Sequence, residues 1–398
     1  MLVFLAGLFQ TIPMMIFRIR FYSVLFLSLS CFSLPLLSQN TPTITIRKSD
    51  ALNLAFSGIG GSEGPAVTSV VQHDLKLSGW FAIVPPGLAS FTASGVAAGG
   101  VLQGKVEKGG EVILSKSYTG APRVVAHQFV DDIVQTLTGH KGIASSTIAF
   151  VSSITGHKEI CIADYDGANG RQITHDSGLS VSPSLSPNGR RLAYTGYQSG
   201  YADIYVIDLT TGSRVRLVKF PGTNSGPRFS PDGNSLACSI SRDGNPELYV
   251  VGLGGGARRL THTRGAESSP TWSPNGSEII YAYDGNGGPQ LYRIGAGGGT
   301  GRLVPTGYGY STEPNWSPDG QRIAFNVRSG GGFAVAVMDL AGGGARIVAQ
   351  GENPIWGADS RHLIYSTGNT ITLLDVPSGK SIPVVSGLGK VTEPTWSR

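Results

Sequence analysis

One seven-residue motif recurs in the second half of the chain and decides the fold. It reads Pro-Ser-Leu-Ser-Pro-Asn-Gly at 183–189, Pro-Arg-Phe-Ser-Pro-Asp-Gly at 227–233, Pro-Thr-Trp-Ser-Pro-Asn-Gly at 270–276 and Pro-Asn-Trp-Ser-Pro-Asp-Gly at 314–320. A degenerate copy, Pro-Ile-Trp-Gly-Ala-Asp-Ser, occupies 354–360, and Pro-Thr-Trp-Ser-Arg stands at 394–398. Successive copies begin 40 to 44 residues apart. Self-similarity at this period is typical of β-propeller blades.

The motif has the chemistry of a β-hairpin turn. Proline presets φ at the second turn position, Asp or Asn suits the third, and Gly accepts the left-handed conformation at the fourth. An apolar strand follows each turn, as at 191–194 and 235–238, and an alternating strand and a short fourth strand come next. Four strands per unit predict one propeller blade for each copy.

The units begin near residues 142, 186, 230, 273, 317 and 357, which predicts six blades. The first unit lacks an inner strand, whereas residues 391–397 form an inner strand without a blade of its own. We therefore expect residues 392–397 to pair with residues 147–151 and to close the ring. Closure would cover two sheet edges that otherwise invite aggregation.

Residues 1–38 have the pattern of a secretory signal peptide. Arg18 and Arg20 precede an apolar run that ends at the small residue Ser38. The alternative is an uncleaved membrane anchor, because about 20 apolar residues can cross a bilayer. Cleavage after Ser38 would leave a chain that does not insert stably into a membrane. Three start codons fit the pattern: Met1, Met14 and Met15.

Residues 39–140 lack the repeat and predict a small α/β domain, and residues 141–398 predict the propeller. The expected fold is thus a small N-terminal α/β domain followed by an all-β six-bladed β-propeller closed by the C-terminal strand. Apolar periodicity and terminal glycines predict helices, and Gly109-Gly110 predicts a hairpin. The predicted elements are a strand at 43–47, helices at 66–78 and 123–138, and hairpin strands at 102–106 and 111–115.

Composition excludes several classes of protein. Only 14% of the residues are charged and 40% are apolar, so a disordered chain is excluded. Removal of Arg18 and Arg20 with the signal leaves 29 basic against 26 acidic residues. A scattered net charge of +3 gives no reason to expect a nucleic-acid partner.

No group of residues predicts catalysis, a cofactor or a metal site. The 7 histidines have no metal-ligand spacing, and Cys161 and Cys238 lie in β-like runs, where we interpret them as buried and structural. Residues 60–64 match the G-x-S-x-G nucleophile motif, but this domain is too small for the hydrolase sheet, so a glycine-rich connection is favoured. We interpret His127 as a structural core histidine and Asp131-Asp132 as a solvated helix face. We expect no enzyme: propellers also precede prolyl-oligopeptidase-type hydrolase domains, but the sequence shows none after this propeller.

The order of signal peptide, α/β domain and six-bladed propeller resembles the TolB family, the periplasmic component of Tol-Pal systems. The likeness covers roughly residues 41–398 and is most specific where the predicted second helix leads into the first blade. The residues that carry it there are Ala126-His127, Asp131, Ile133, Leu137-Thr138-Gly139, Gly142 and Ile148-Ala149-Phe150-Val151. Two further stretches are similar to the family: Asp74-Leu75 with Ser78-Gly79-Trp80-Phe81, and Ala163-Asp164-Tyr165-Asp166-Gly167.

The resemblance implies a non-enzymatic, monomeric scaffold in the periplasm. Family members bind the peptidoglycan-associated lipoprotein Pal through one mouth of the propeller and TolA through the mature N-terminal segment, and other outer-membrane proteins are further partners. They act in outer-membrane integrity and in invagination during cell division. Here the segment for TolA would be residues 39–49, carried over by position only, with Thr43, Ile44 and Ile46 as its candidate contacts.

Propeller geometry independently points to a polar mouth, because loops that lead into the inner strands gather around the axis. Small polar side chains there suit docking of a protein loop or helix, although each of them could instead simply cap a strand. Position 223 is Thr where family members often carry His. The alternative function is a periplasmic propeller that binds a carbohydrate or another small molecule. The predicted mouth residues are Thr223, Asn224, Gly226, Glu267, Ser268, Ser269, Thr312, Glu313, Asn353, Thr392 and Glu393.

Overall fold

A computed structural model describes residues 51–397, so the predicted signal peptide and the predicted strand at 43–47 lie outside the described residues. The N-terminal domain is a five-stranded sheet with strand order β2-β1-β3-β4-β5. Strand β1 pairs in parallel with β2 and β3, and the β3-β4-β5 meander is antiparallel. The bounds are β1 Leu52–Gly60, β2 Phe81–Ile83, β3 Phe91–Ala98, β4 Val101–Lys108 and β5 Glu111–Thr119.

Two helices, α1 (Gly64–Leu77) and α2 (Pro122–Thr138), pack against this sheet and against each other. Each has a proline in its first turn, where the missing N–H has no partner within the helix to lose. Gly139 ends α2 in the left-handed conformation, with φ of 75°. Both predicted helices and the hairpin around Gly109-Gly110 are confirmed, with bounds within four residues of those expected.

Strand β3 has no counterpart in the sequence prediction, because a central glycine usually weakens a strand. Here Gly95 is required by a close approach of the neighbouring strand. A Cβ at position 95 would lie 2.5 Å from the carbonyl oxygen of Gln103, which is closer than real Cβ contacts.

The rest of the described chain forms six four-stranded antiparallel sheets, which we number blades 1 to 6. Each blade is given from its inner strand outward. Blade 1 contains β29 Val391–Trp396, β6 Thr147–Ser152, β7 Glu159–Asp164 and β8 Arg171–Gln172; blade 2 contains β9 Ser180–Leu185, β10 Arg191–Gly196, β11 Asp203–Asp208 and β12 Arg214–Val218; blade 3 contains β13 Asn224–Phe229, β14 Ser235–Ile240, β15 Glu247–Gly252 and β16 Ala257–Arg259. Blade 4 contains β17 Glu267–Trp272, β18 Glu278–Tyr283, β19 Gln290–Gly295 and β20 Arg302–Leu303; blade 5 contains β21 Ser311–Trp316, β22 Arg322–Ser329, β23 Gly332–Asp339 and β24 Arg346–Gln350; blade 6 contains β25 Glu352–Trp356, β26 His362–Thr367, β27 Thr370–Asp375 and β28 Lys380–Val385.

The turns behave as their composition predicts. The glycines that end the four complete turns have φ between 67° and 77°, and a serine hydroxyl at the start of each turn bonds to the Asp or Asn side chain. In the degenerate turn, Ser360 takes the left-handed conformation in place of glycine, with φ of 54°. Its hydroxyl accepts a hydrogen bond from the main-chain N–H of Asp319 in the neighbouring turn, at 2.9 Å.

The predicted closure of the ring is confirmed. Strand β29 pairs with β6 in antiparallel register, with Thr392 opposite Val151 and Trp396 opposite Ile148. The main-chain N–H of Ser397 donates to the carbonyl of Thr147 at 2.9 Å, which extends the ladder by one residue.

The N-terminal domain contacts blades 1 and 6 at the end of the channel where the turns lie. Between α1 and blade 1, the carboxylate of Asp74 accepts a hydrogen bond from the Tyr165 hydroxyl at 2.8 Å. In blade 6, the guanidinium of Arg361 donates to the carbonyl of Gly79 at 2.8 Å and stacks 4.3 Å from the Trp80 ring.

The prediction that Asp131-Asp132 is a solvated helix face is wrong. The carboxylate of Asp131 accepts from the main-chain N–H groups of Ala144 and Ser145, and thereby holds the segment between the domains. The carboxylate of Asp132 accepts from the Tyr118 hydroxyl and from Lys116, both at 2.7 Å. Neither helix of residues 51–397 is long and apolar enough to span a bilayer.

Candidate functional site

The six inner strands begin around one end of the central channel, which we call the mouth. The opposite end, which we call the turn end, carries the repeated turns and the contacts to the N-terminal domain. The mouth thus lies on the face away from the described part of the N-terminal domain.

The structure brings all the predicted mouth residues to the starts of these strands, but at different depths. Thr223 and Ser268 are exposed, whereas Asn224 and Glu267 are fully buried. The others are half-buried: Gly226, Ser269, Thr312, Glu313, Asn353, Thr392 and Glu393. Thr43, Ile44 and Ile46 lie outside the described residues.

Asn224 acts as a structural cap inside the mouth. Its amide group donates to the carbonyl of Phe220 at 2.8 Å and to that of Ala202 at 3.1 Å. These bonds tie the connection between blades 2 and 3 to the start of β13. Because Asn224 is buried, it could affect the binding of a partner only by positioning the exposed Thr223.

A ring of left-handed residues surrounds the channel just inside the mouth. In every blade the residue before the inner-strand proline has a positive φ, between 48° and 63°. Only one of the six is glycine, and a left-handed non-glycine residue costs about 1–2 kcal/mol. The pairing with the second strand shifts at this point in each blade. The ring consists of Ser182, Gly226, Ser269, Glu313, Asn353 and Glu393.

Two members of this ring are carboxylates that join neighbouring blades. Glu393 accepts from the main-chain N–H of Ser182 at 2.6 Å, and Glu313 accepts from the hydroxyl of Ser269 at 2.7 Å. Burial raises the pKa of Glu313, while the positive charge of Arg228 acts in the opposite direction. The mouth thus carries acceptor groups whose positions are fixed by hydrogen bonds between blades.

Buried Glu267 faces a second buried carboxyl group, that of Glu247. The Thr263 hydroxyl donates to one oxygen of Glu267 at 2.7 Å, and Arg259 donates to one oxygen of Glu247 at 2.8 Å. Burial and the charge of Glu247 raise the pKa of Glu267 to about 8. Burial disfavours ionisation of Glu247 as well, but hydrogen bonds from Thr261, Thr263 and Arg259 hold its pKa below the ordinary value.

This pair predicts a proton-linked stability. Folded Glu267 keeps its proton to about pH 8, whereas the unfolded chain releases it near its ordinary pKa of 4.5. The folded state therefore binds more protons between these values, and this contribution to stability falls as the pH rises through them. The slope for one proton is at most about 1.4 kcal/mol per pH unit. Urea unfolding between about pH 5 and pH 8 measures it.

The matched variant for this test is Glu267→Gln, which removes the titrating group and keeps the shape. Its stability is expected to vary less with pH than that of the parent chain. Glu352→Gln is the control, because Glu352 is an exposed carboxylate beside the same mouth. If Glu267→Gln and the parent show the same pH slope, the proton is not held by this pair.

The remaining candidates for chemistry have structural explanations. Ser62 is exposed in the turn between β1 and α1, and no histidine of residues 51–397 hydrogen-bonds to it. The second glycine of its motif, Gly64, is needed for packing, because a Cβ there would clash with the carbonyl oxygen of Ile59. His127 is buried against Asp74, with 2.7 Å between its Nδ1 and the carboxylate. Cys161 and Cys238 are free and buried.

No residues of 51–397 form a cluster of three or more His, Cys, Asp or Glu side chains that could hold a metal ion. The repeat tryptophans at 272, 316, 356 and 396 are at most 7% exposed. They therefore provide no aromatic surface for a sugar ring at the mouth.

Comparison with known proteins gives a consistent result. The family model described as the TolB beta propeller domain matches residues 134–398. A protein named TolB homolog from Chlorobium luteolum is 31% identical over 223 aligned positions, and the match covers 46% of this chain and 51% of the relative. The Tol-Pal system protein TolB of Geobacter metallireducens is 33% identical over 169 aligned positions, and the match covers 34% of this chain and 39% of the relative. The chain thus spans about half the length of the first of these relatives and less of the second.

The crystal structure of TolB from Acinetobacter baumannii is similar over more of the chain. The TM-score is 0.76 at 25% sequence identity, with 87% of this chain and 96% of the other covered. This likeness extends over both described domains, because the propeller alone would not account for that share of the chain.

Proposed function

The chain belongs to the TolB beta-propeller family, and from this premise we propose that it is a non-enzymatic scaffold of a Tol-Pal system in the periplasm. Its role would be to help maintain the outer membrane and to draw it inward during cell division. The observation that carries the proposal is the polar mouth of a family propeller, which lies away from the described part of the N-terminal domain.

We propose that the mouth binds the peptidoglycan-associated lipoprotein Pal. The exposed hydroxyls of Thr223 and Ser268 lie on the rim, and half-buried Thr312, Glu313 and Glu393 lie deeper. Acceptors that are already fixed by hydrogen bonds between blades lose little conformational freedom when a partner docks, which favours affinity. TolA would bind the mature N-terminal segment, residues 39–49, through Thr43, Ile44 and Ile46. Further outer-membrane proteins remain candidate partners.

Calorimetric titration of the soluble domain of Pal from the same cell into residues 39–398 tests this function. Saturable binding is expected. A second titration, with a chain that begins at Ser49, asks whether the N-terminal segment changes the affinity of the mouth. A parallel titration with the soluble part of TolA is expected to show binding that is lost in the chain that begins at Ser49. Absence of Pal binding in both chains would contradict the proposed function, and only the fold would then be shared with the family.

The double substitution Thr312→Ala with Glu313→Gln is expected to weaken Pal binding. If both side chains belong to the energetic centre of the interface, the loss is ~1–3 kcal/mol, or about 5- to 150-fold in Kd. Glutamine keeps the length of Glu313 and its bond to Ser269, so the backbone of the ring is left in place. Glu111→Ala is the control, because Glu111 is exposed on the hairpin of the N-terminal domain. Full affinity in the double variant would show that neither residue contributes to the interface.

A further inference from the structure

A second ring of side chains lines the channel at the turn end. Each inner strand contributes the residue between its proline and its aromatic or leucine residue, and these side chains line one cavity of about 260 Å³. Pockets for drug-sized ligands have volumes of about 300–1,000 Å³. This cavity is slightly smaller, so it suits a ligand smaller than a typical drug. The six residues, which we call the channel ring, are Ser184, Arg228, Thr271, Asn315, Ile355 and Thr395.

Four members of the channel ring join neighbouring blades. Each accepts a hydrogen bond from the main-chain N–H of the aromatic or leucine residue in the next blade. The bonds run from Phe229 to Ser184 at 3.2 Å, from Trp316 to Thr271 at 3.2 Å, from Trp356 to Asn315 at 2.8 Å and from Leu185 to Thr395 at 3.4 Å. An acceptor at this position therefore stabilises the propeller.

Arg228 and Ile355 are the exceptions, because neither side chain contains a hydrogen-bond acceptor. The N–H groups of Trp272 and Trp396 thus lack the side-chain partner that the repeat supplies elsewhere. Positions 228 and 355 are three steps apart in a ring of six, so they lie on opposite sides of the channel. The cavity consequently has a cation on one wall and an apolar side chain on the other.

The guanidinium of Arg228 is not neutralised by an ion pair. Its Nη1 donates to the carbonyls of Pro183 at 3.0 Å and Pro227 at 3.3 Å, and no carboxylate of residues 51–397 lies within 4 Å of it. Burial lowers the pKa of Arg228, although Glu313 and Glu393 in the ring above oppose this shift. The cavity lining contains no Asp or Glu, and it adds a second cation, the exposed Lys141.

We propose that this cavity binds a small monocarboxylate with an apolar body. The planar carboxylate matches the fork of N–H donors on Arg228. The hydroxyls of Thr271 and Thr395 keep an O–H to donate while their oxygens accept the bonds between blades. The apolar body packs against Ile355 and the indole of Trp396. This site is at the turn end and does not rest on the function proposed for the mouth.

Benzoate, its uncharged isostere benzamide, acetate and inorganic phosphate are suitable probes for the mature chain, with calorimetry and tryptophan fluorescence as readouts. Benzoate is expected to bind saturably and at least 10-fold more tightly than benzamide, acetate or phosphate. Equal affinity for benzoate and benzamide would show that the charge of the ligand does not matter. Equal affinity for benzoate and for phosphate or acetate would show that the apolar body does not matter. No binding of benzoate would overturn the proposal as a whole.

The repeat itself supplies the variants. Arg228→Asn introduces the residue that the ring carries at 315, and it should weaken benzoate binding at least 10-fold. Its Tm is expected to be unchanged or higher, because Asn offers the acceptor that the N–H of Trp272 lacks. Arg190→Asn, the same substitution at an exposed arginine beside the turn at 183–189, is the control and should bind benzoate normally. Benzoate binding that survives Arg228→Asn would overturn the proposal.

A second variant decides the matter if Arg228→Asn does not fold. Ile355→Thr introduces the residue found at 271 and 395, and it acts on the opposite wall of the cavity. It should weaken benzoate binding at least 3-fold and leave that of acetate unchanged. An unchanged ratio of the two affinities would contradict the assignment of the apolar wall.

Discussion

A chain that lacks residues 391–398 is expected to lose at least about 5 kcal/mol of folding free energy, which is comparable to the whole stability of many domains. The deletion removes strand β29, whose Val391 and Trp396 are 0% and 3% exposed. Truncating a buried tryptophan alone costs about 3–5 kcal/mol. The deletion also breaks the ladder to β6 and the bond from Ser182 to Glu393. Strand β6 would then be left as an open edge.

Urea unfolding and size-exclusion chromatography measure this effect. The truncated chain is expected to be unfolded or aggregated at neutral pH, because an open edge pairs with other chains. Trp396→Ala is an intermediate case with a loss of ~3–5 kcal/mol. Thr392→Ala is the control in the same strand, since Thr392 is half-buried and should change stability by less than about 1 kcal/mol. Unchanged unfolding of the truncated chain would disprove the closure.

Asp74→Ala is expected to destabilise the fold by ~3–5 kcal/mol, as breaking a buried charged network does. Asp74 is 0% exposed, and both of its oxygens are used. One accepts from the Tyr165 hydroxyl of blade 1 at 2.8 Å, and the other lies 2.7 Å from Nδ1 of His127 on α2. Alanine would leave two buried polar groups without this partner, at a cost of about 1–3 kcal/mol each. The contact between the domains should weaken with it.

Chemical unfolding of Asp74→Ala and of the double variant Asp74→Ala with Tyr165→Phe measures the coupling. Removal of the Tyr165 hydroxyl should restore part of the loss, because that hydroxyl no longer needs a partner. Glu107→Ala is the control, since Glu107 pairs with half-exposed Lys105 on β4 and surface pairs contribute ~0–1 kcal/mol. A loss in Asp74→Ala no larger than in the control would refute this role of Asp74.

The sequence predicted the propeller well because its information is local and repeated. Each turn carries its own proline, Asp or Asn, and glycine, and six copies in register average out the exceptions. Even Ser360, which replaces the glycine, adopts the required conformation because the surrounding blade imposes it. The closing strand was predictable too. The first unit lacked an inner strand and the C-terminus supplied an inner strand without a blade, so the two were expected to pair.

Contacts between residues that are distant in the sequence were harder to predict. Asp131 and Asp132 look like a helix surface in sequence, and only the fold brings Ser145 and Tyr118 to them. The left-handed ring was also missed, because a residue before proline normally prefers extended backbone. The motif did contain a signal for Arg228: a cation stands where the other copies have Ser, Thr, Asn or Ile. Aligning the copies position by position would have singled it out.

The pairing of β29 with β6 also sets the order in which the molecule can complete its fold. Thr147 and Ser397, which hydrogen-bond to each other, are separated by 250 positions in the chain. A chain that folds from its N-terminus onward therefore has strand β6 in place before its inner neighbour β29 arrives. Until then β6 keeps an unpaired edge, which other chains can pair with and which a chaperone could cover.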